Sequence, residues 1–362
     1  MKKLLSPFLF LCCISILFVI VVSCTEDTPT QNTAINYVED FEALWDNFDR
    51  LYPYFIYKNI DWQMLHDQYK PEAEEAASYI NLVNVMVKML KPLKDKHVDF
   101  TRPTGIVIPT YVSAKKPNWD YSQLYNFLQQ YDFKVFNDQW GYCFIDSIPY
   151  IAIGSWMNGA FDVQKFDEIF ELFKESPTMI VDVRMNGGGN EILAIQVAGR
   201  FAVEKKVVEY YKVRNGPEHD DFGALVSKYC EPRGEWQFTK PVALLIGPTC
   251  LSSNESFICQ MKEQQNVTLI GDTTGGGTAN PITYQLSDGT KYRVPKWIAY
   301  TAQMKVIEWN GIEPEILIHV NESDFANGSD PVLEYAIEWA KTRMNLFAAS
   351  SEVSKYKFYL LQ

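Results

Sequence analysis

The first pattern along the chain is helical, with apolar residues three or four positions apart after residue 36. One such stretch runs from Phe41 to Leu51, and two more begin after Asp61 and after Ser78. This spacing puts the apolar side chains on one face of a helix, and Asp and Ser commonly cap a helix N-terminus. We therefore predict a small N-terminal helical bundle over residues 36–95.

From residue 96 onward, short apolar runs alternate with helical stretches. The predicted elements are a strand pair over 142–153, a helix over 161–173, a strand over 179–183, a helix over 191–202, a strand over 242–246, a helix over 253–263, a strand over 267–270, an antiparallel region over 281–307 and a closing helix over 334–346. Strands that alternate with helices indicate an α/β core with largely parallel pairing. We assign residues 96–346 to this core and residues 347–362 to a C-terminal tail.

The N-terminus has a different character from the rest of the chain. Two lysines precede an apolar run of fifteen residues from Phe8 to Val22, which only Ser15 interrupts. A helix that spans a bilayer needs about 20 apolar residues, so this shorter run is typical of a signal peptide. The run ends in Val21-Val22-Ser23-Cys24, which resembles the bacterial lipobox, where the cysteine receives the lipid.

We therefore predict a signal peptide over residues 1–23 and a lipidated tether over residues 24–35. Acyl chains on Cys24 would hold the protein on a membrane of the bacterial cell envelope. The prediction is an outer-membrane lipoprotein, on the periplasmic or the surface side. The alternative is a plain signal peptide or an uncleaved anchor in which Cys24 is incidental.

Charge and cysteine content exclude several classes of function. The 362 residues contain 33 Lys and Arg against 45 Asp and Glu, a net charge of −12. Nucleic-acid binding needs clustered basic residues, so it is not expected. Cys143, Cys230, Cys250 and Cys259 fit no zinc-site spacing, and either one or two disulfides or buried free thiols remain open. We predict no metal and no cofactor.

Two junctions between a predicted strand and a helix carry candidate chemistry. In the first, Asp182–Gly189, three glycines follow a buried strand, so backbone N–H groups are expected to be free to hold an oxyanion or a phosphate at a helix N-terminus. Its spacing matches neither the GxGxxG nor the P-loop motif. A tight turn that simply requires glycine is the alternative.

In the second junction, Ser252 lies after the strand over 242–246 and before the helix over 253–263. Nucleophilic serines occupy this position in strand-to-helix turns, where they need a base and backbone donors for the oxyanion. The alternative is that Ser252 or Ser253 only caps the helix. Of the four histidines, His97 lies where the bundle meets the core, and such a boundary is a common place for a cleft.

Five segments together resemble the family of C-terminal processing proteases and tricorn-core serine peptidases. They are Leu93–His97 (L-x-D-x-H), Asp182–Gly189 (D-x-R-x-N-x-G-G), Ser252–Glu255 (S-[SA]-x-E), Ile270–Gly277 (hGE-x-T-x-G) and Glu308–Glu315 (E-x-x-G-h-x-P-D). The segments occur in the family order across residues 36–340. The resemblance implies a crotonase/Clp-protease-like spiral core of ββα units behind the helical bundle.

The resemblance also implies roles for individual residues. Ser252 matches the nucleophile, while His97 and Glu308 match the histidine and glutamate of the Ser-His-Ser-Glu tetrad of the tricorn branch. The N–H groups of Gly188 and Ser253 match the oxyanion hole.

Two positions depart from the family patterns. Gly277 stands where the processing branch has its lysine base, so a Ser–Lys dyad is not expected. Lys96 stands where the tetrad has the serine that precedes its histidine. About fifty residues separate His97 from Tyr150, too few for the PDZ module of about 90 residues that many processing proteases carry.

The implied function is hydrolysis of peptide bonds in a peptide or protein substrate, through an acyl-enzyme on Ser252 with His97 as general base. The alternative is a catalytically impaired lipoprotein that binds peptides or other polymers on the same fold. A crotonase-type acyl enzyme fits less well, because it would not need the serine–glutamate segment. The oligomeric state stays open.

Overall fold

The structure, a computed structural model, describes residues 37–359, with side chains up to residue 349. The predicted signal peptide, the tether and Cys24 therefore lie outside the described residues. The helices in the described part are α1 (Tyr37–Leu51), α2 (Trp62–Glu74), α3 (Tyr79–Leu90), α4 (Tyr121–Gln129), α5 (Val163–Phe170), α6 (Glu191–Ala198), α7 (Ser253–Lys262), α8 (Glu322–Ala326) and α9 (Pro331–Tyr359).

The strands form three sheets. They are β1 (Asp99–Thr101), β2 (Val107–Pro109), β3 (Lys134–Phe136), β4 (Trp140–Ile145), β5 (Ile148–Ile153), β6 (Met179–Asp182), β7 (Lys206–Val213), β8 (Val226–Cys230), β9 (Val242–Ile246), β10 (Val267–Gly271), β11 (Ile282–Gln285), β12 (Lys291–Val294), β13 (Trp297–Thr301) and β14 (Ile316–Leu317). The spatial orders are β14-β10-β9-β6-β5-β4-β3, β11-β12-β1-β2 and β13-β7-β8.

Helices α1–α3 form the bundle that the apolar spacing predicts. The Asp61 side chain caps α2 by accepting the Met64 N–H at 2.9 Å, and Ser78 caps α3. The buried face of the bundle shares one apolar core with Phe100 of β1 and with Tyr292 of β12. The bundle therefore packs directly against the four-stranded sheet.

The seven-stranded sheet is the centre of the α/β core, as expected from the alternating pattern. Strands β5, β6, β9, β10 and β14 run parallel, while β3 and β4 pair antiparallel at one end. Strand β9 is buried along its whole length, as a parallel strand covered on both faces should be. Apolar residues of α6 and α7 pack on one face, and those of α4 and α9 on the other.

Three loops meet at one edge of this sheet because the strands before them are parallel. Strand β6 ends at Asp182, β9 at Ile246 and β10 at Gly271, so their carboxyl ends lie side by side. Ligand sites of open parallel sheets lie at this edge.

Some elements differ from the predicted ones. Helix α4 was not among the predicted elements, and α6 ends four residues earlier than expected. Helix α9 continues to Tyr359, through most of the segment expected as a tail. Cys143, Cys230, Cys250 and Cys259 are all free and buried, which settles the question in favour of thiols. None of the helices in the described part is both long and apolar enough to cross a bilayer.

A buried arginine joins the end of β6 to the start of α9. The Arg184 guanidinium donates to Asp182 Oδ2 at 2.8 Å and to Asp330 Oδ1 and Oδ2 at 2.8 Å each, and all its N–H groups lie away from solvent. Tyr150 donates its hydroxyl proton to the same Asp182 carboxylate at 2.9 Å. Both carboxylates accept hydrogen bonds from the guanidinium, so the buried cation is paired, as a buried charge requires.

We predict that Asp330→Asn lowers the free energy of unfolding by about 3 kcal/mol, because it replaces one of two charged acceptors of the buried guanidinium by an amide N–H that cannot accept a hydrogen bond. Asparagine retains an oxygen that can cap α9, so the cap is not the cause of the loss. The measurement is equilibrium unfolding in urea. The control is Lys165→Ala, which removes an exposed ion pair with Glu168 and should leave the midpoint unchanged. Equal effects of both variants would contradict the prediction.

Candidate active site

Ser252 lies in the turn between β9 and α7, in a backbone conformation that residues other than glycine rarely adopt. Its φ is +58° and its ψ is −130°, and such strain is commonly kept at functional sites. Ser252 occupies the N-cap position of α7, yet its side chain makes no capping hydrogen bond. The hydroxyl is therefore not used in the way that the helix-cap interpretation requires.

A pocket of about 240 Å³ opens beside this serine. Its walls include Ser252, Ser253, Gly189, Thr278 and Trp297. A larger pocket of about 420 Å³ lies among aromatic residues of α4, β3 and β4. We take the smaller pocket as the candidate site, because it contains the predicted nucleophile and the larger one contains none of the predicted site residues.

The glycine turn after β6 packs against Ser252. Gly188 has a φ of +108°, and a Cβ added to it would lie 2.8 Å from Ser252 Cβ and 2.9 Å from Leu251 O. Only glycine fits such an approach. Asn186 closes the turn, because its Oδ1 accepts the Gly188 N–H at 2.8 Å.

The Gly188 N–H, which the prediction assigns to the oxyanion hole, is therefore already paired in this structure. Sequence reasoning overlooked Asn186, whose position two residues before Gly188 is typical of an Asx turn. In contrast, the N–H of Ser253 has no hydrogen-bond acceptor within residues 37–359. It is the first N–H of α7, where the helix dipole favours negative charge.

His97 lies beside Gly277, the glycine that hydrogen-bonds to the backbone of Ser252. The Ser252 N–H donates to Gly277 O at 2.8 Å, and a Cβ added to Gly277 would lie 3.4 Å from Cε1 and Nδ1 of the His97 ring. Ser252 and His97 thus flank the same glycine. No hydrogen bond joins their side chains in the described part of the chain.

The His97 ring is buried and uncharged. Burial lowers the pKa of His97 to about 4, although the nearby Asp95 acts in the opposite direction. Asp95 Oδ1 accepts the backbone N–H of His97 at 2.8 Å. The ring Nδ1 has no hydrogen-bond partner among the described residues.

Glu308 lies in a buried polar cluster with Lys58. Its Oε1 accepts a hydrogen bond from Lys58 Nζ at 2.6 Å, and its Oε2 has no partner among the described residues. Burial raises the pKa of Glu308, and Asp95 adds to this effect. Glu308 therefore bonds to Lys58 rather than to His97. Sequence reasoning missed Lys58, because nothing in its local pattern distinguishes it from a surface lysine.

The two positions that depart from the family patterns meet at the loop over 272–278. Lys96 packs against this loop, and Gly277 belongs to it. Lys96 Nζ donates to Gly275 O at 2.6 Å, and burial lowers its pKa. A Cβ on Gly277 would lie 2.5 Å from Leu251 Cδ2. A lysine at this position would therefore require Leu251 to move.

Glu255, in the first turn of α7, holds this loop in place. Its buried carboxylate accepts the N–H groups of Gly276 at 2.9 Å and Gly277 at 2.8 Å, and also the hydroxyl of Thr274. Burial raises the pKa of Glu255, while these hydrogen bonds lower it. The sequence motif contained this glutamate, but its partners are set by the fold.

Comparisons with known proteins match most of the described chain. The profile of "Peptidase family S41" matches residues 147–318, and that of "Tricorn protease C1 domain" matches residues 36–91. A carboxy-terminal processing protease, CtpA, of Bacillus subtilis is 29% identical over 38% of this chain and 28% of its own length. A putative tricorn-like protease C-terminal subunit of Sulfurisphaera tokodaii is 27% identical over 49% of this chain and 19% of its own length. The chain thus spans less than a third of either relative.

Solved structures share the fold over a larger part of the chain. A putative peptidase from Parabacteroides merdae is 27% identical, with a TM-score of 0.76, and the match covers 84% of this chain and 96% of that one. Mature CPAF is 11% identical with a TM-score of 0.66, over 86% of this chain and 98% of that one. At that identity the CPAF match concerns the fold alone.

We predict that Gly188→Ala destabilises the protein by about 2 kcal/mol, because the added methyl group meets Ser252 and the φ is positive. The matched control is Gly187→Ala, since a Cβ there would have no neighbour within 4 Å. Urea unfolding of both variants is the measurement. Equal stability of the two variants would contradict the packing described for Gly188.

Proposed function

Because the chain belongs to peptidase family S41, with its C-terminal processing and tricorn-like members, we propose that it is a serine peptidase. The observation that carries this proposal is the position of Ser252. Ser252 lines a pocket at the strained N-terminus of α7 and its side chain does not cap the helix, while the His97 ring lies next to Gly277, whose carbonyl accepts the Ser252 N–H. A strained turn and an adjacent imidazole are what an activated serine needs.

The proposed reaction is acyl transfer through an acyl-enzyme. His97 removes the Ser252 hydroxyl proton as the oxygen attacks the peptide carbonyl, and it then passes the proton to the leaving amine. Water attacks the ester in the second half of the reaction, with His97 again as base, and Ser252 recovers its proton. The low pKa of His97 keeps the ring neutral, which a general base requires.

The Ser253 N–H is the proposed donor to the tetrahedral oxyanion. It is unpaired within the described residues, and the α7 dipole adds to its effect. The Gly188 N–H can be the second donor only if the Asn186 side chain releases it. We propose that substrate binding displaces Asn186 Oδ1, so that the carbonyl oxygen of the scissile bond replaces it as acceptor.

The substrates proposed are peptides or proteins. Ser252, Ser253 and residues 278–281 line the pocket. An extended peptide backbone can pair with a segment such as 278–281. No observation favours the binding-only alternative over the peptidase. It remains as one outcome of the first test below.

We propose further that the mature protein is a lipoprotein, anchored through Cys24 in the bacterial cell envelope. The support comes from the apolar run over Phe8–Val22 and from the lipobox-like Val21–Cys24, which lie outside the described residues. The tether over residues 24–35 would then separate α1 from the membrane. Outer-membrane anchoring on either side is compatible with this support.

We predict that Ser252→Ala lowers kcat/KM for peptide hydrolysis by a factor of at least about a thousand, because the nucleophile is lost. A fluorophosphonate probe should label the wild type and not this variant. Ser113→Ala, which changes a partly exposed loop serine outside the pocket, is the control and should be labelled at the wild-type rate. Peptide binding without Ser252-dependent turnover or labelling would instead favour the binding-only alternative.

We predict that Cys24→Ala releases the protein from the membrane fraction, because the acylated residue is removed. Mass spectrometry of the mature N-terminus should find a diacyl or triacyl cysteine in the wild type. Cys13→Ala, a change within the predicted signal peptide, is the control and should leave both results unchanged. An unmodified Cys24 in the mature wild-type protein would contradict the lipid anchor.

A further inference from the structure

Lys58 is a fully buried lysine supplied by the helical bundle, in the turn between α1 and α2. Its Nζ lies 2.6 Å from Glu308 Oε1, 2.9 Å from Tyr52 OH, 2.9 Å from Leu93 O and 3.5 Å from Asp95 Oδ2. A lysine is seldom buried unless it is paired. The ammonium group thus has four oxygen partners, which come from Tyr52, from the segment over 93–95 and from Glu308.

Three of these partners belong to the segments that carry His97 and Glu308. Leu93 and Asp95 precede His97 by four and two residues, and Asp95 Oδ1 accepts the His97 backbone N–H at 2.8 Å. Tyr52 donates its hydroxyl proton to Asp95 Oδ2 at 3.0 Å. Glu308 comes from the segment after β13. Lys58 therefore links the His97 segment to Glu308.

We propose that Lys58 is a positioning residue for His97, a role that rests on the proposed peptidase function. In the tricorn tetrad a serine precedes the histidine, and the residue at that position here, Lys96, bonds to Gly275 O. Lys58 instead binds Glu308 and Asp95, and Asp95 in turn accepts the backbone N–H of His97. It acts through these residues and does not line the pocket beside Ser252.

The charges around His97 determine how its pKa should change when Lys58 is replaced. Asp95 and Asp99 favour the imidazolium, whereas Lys58 and Arg293 oppose it. Around Glu308, Asp95 and Glu255 raise the pKa of the carboxyl group, and Lys58 lowers it. Tyr52 and Tyr54, which face the same cluster, stay protonated because burial raises their pKa values far above the usual range. Removal of the Lys58 charge should raise the pKa values of both His97 and Glu308.

The test compares Lys58→Met with the wild type by NMR titration of the histidine ring protons. The chain has only four histidines, so His97→Gln assigns the His97 signal. The His97 midpoint should rise by about half a pH unit or more in Lys58→Met. Lys58→Gln keeps a donor but no charge and should show the same direction of shift. It decides the test if Lys58→Met does not fold.

Activity provides the second readout. In Lys58→Met, kcat should fall between about tenfold and a hundredfold, because a misplaced base slows proton transfer, while KM changes little. The acid limb of the pH profile of kcat/KM should move to higher pH, and Lys58→Arg should restore it. The control is Arg200→Met, which removes another buried cation, paired with Asp167 at 2.9 Å. It should lower stability without moving the acid limb or the His97 titration.

The two proposals fail in different ways. Wild-type protein without Ser252-dependent hydrolysis or probe labelling would contradict the peptidase. An unmoved His97 titration in the folded Lys58 variants would overturn the role of Lys58, whether or not the wild type is active. A kcat loss in proportion to the folded fraction, with an unmoved acid limb, would also overturn it.

Discussion

The candidate site depends on the buried carboxylate of Glu255. One turn into α7, it accepts three hydrogen bonds from the loop that contains Thr274, Gly276 and Gly277. That loop supplies the carbonyl of Gly277 to the Ser252 N–H, and the His97 ring packs beside the same glycine. A buried carboxylate is costly without such donors, so the helix and the loop cannot easily move apart. The position of Gly277, beside both Ser252 and the His97 ring, follows from this constraint.

Buried cations hold the remaining loops at the site edge of the sheet. Arg184 pairs with Asp182 at the end of β6 and with Asp330 at the start of α9, and Lys58 pairs with Asp95 and Glu308. Each cation thus has two carboxylates from different segments. Loops cannot satisfy their backbone groups through a strand ladder or a helix, so side-chain pairs of this kind hold them.

Local sequence patterns predicted the elements that bury a regular apolar face. The caps at Asp61 and Ser78 and the parallel strands β6, β9 and β10 are where the pattern puts them, and the resemblance to the S41 family is confirmed. Helix α4 was missed, because it buries only Leu124 and Leu128 and follows a stretch rich in proline. Strand β7 was missed too, since its burial does not alternate and its partners β8 and β13 set its pairing.

For the site, the sequence by itself determined the chemistry at the strand ends: a serine before α7, a glycine turn after β6 and a histidine where the bundle meets the core. These are local features, because a turn or a helix start is specified by residues a few positions apart. Tertiary structure alone decided that the Glu255 carboxylate accepts the N–H groups of Gly276 and Gly277, and that Lys58 pairs with Glu308, 250 residues away. Such hydrogen bonds and ion pairs depend on which distant groups the fold buries together. The periodicity of apolar residues in the sequence does not specify these pairings.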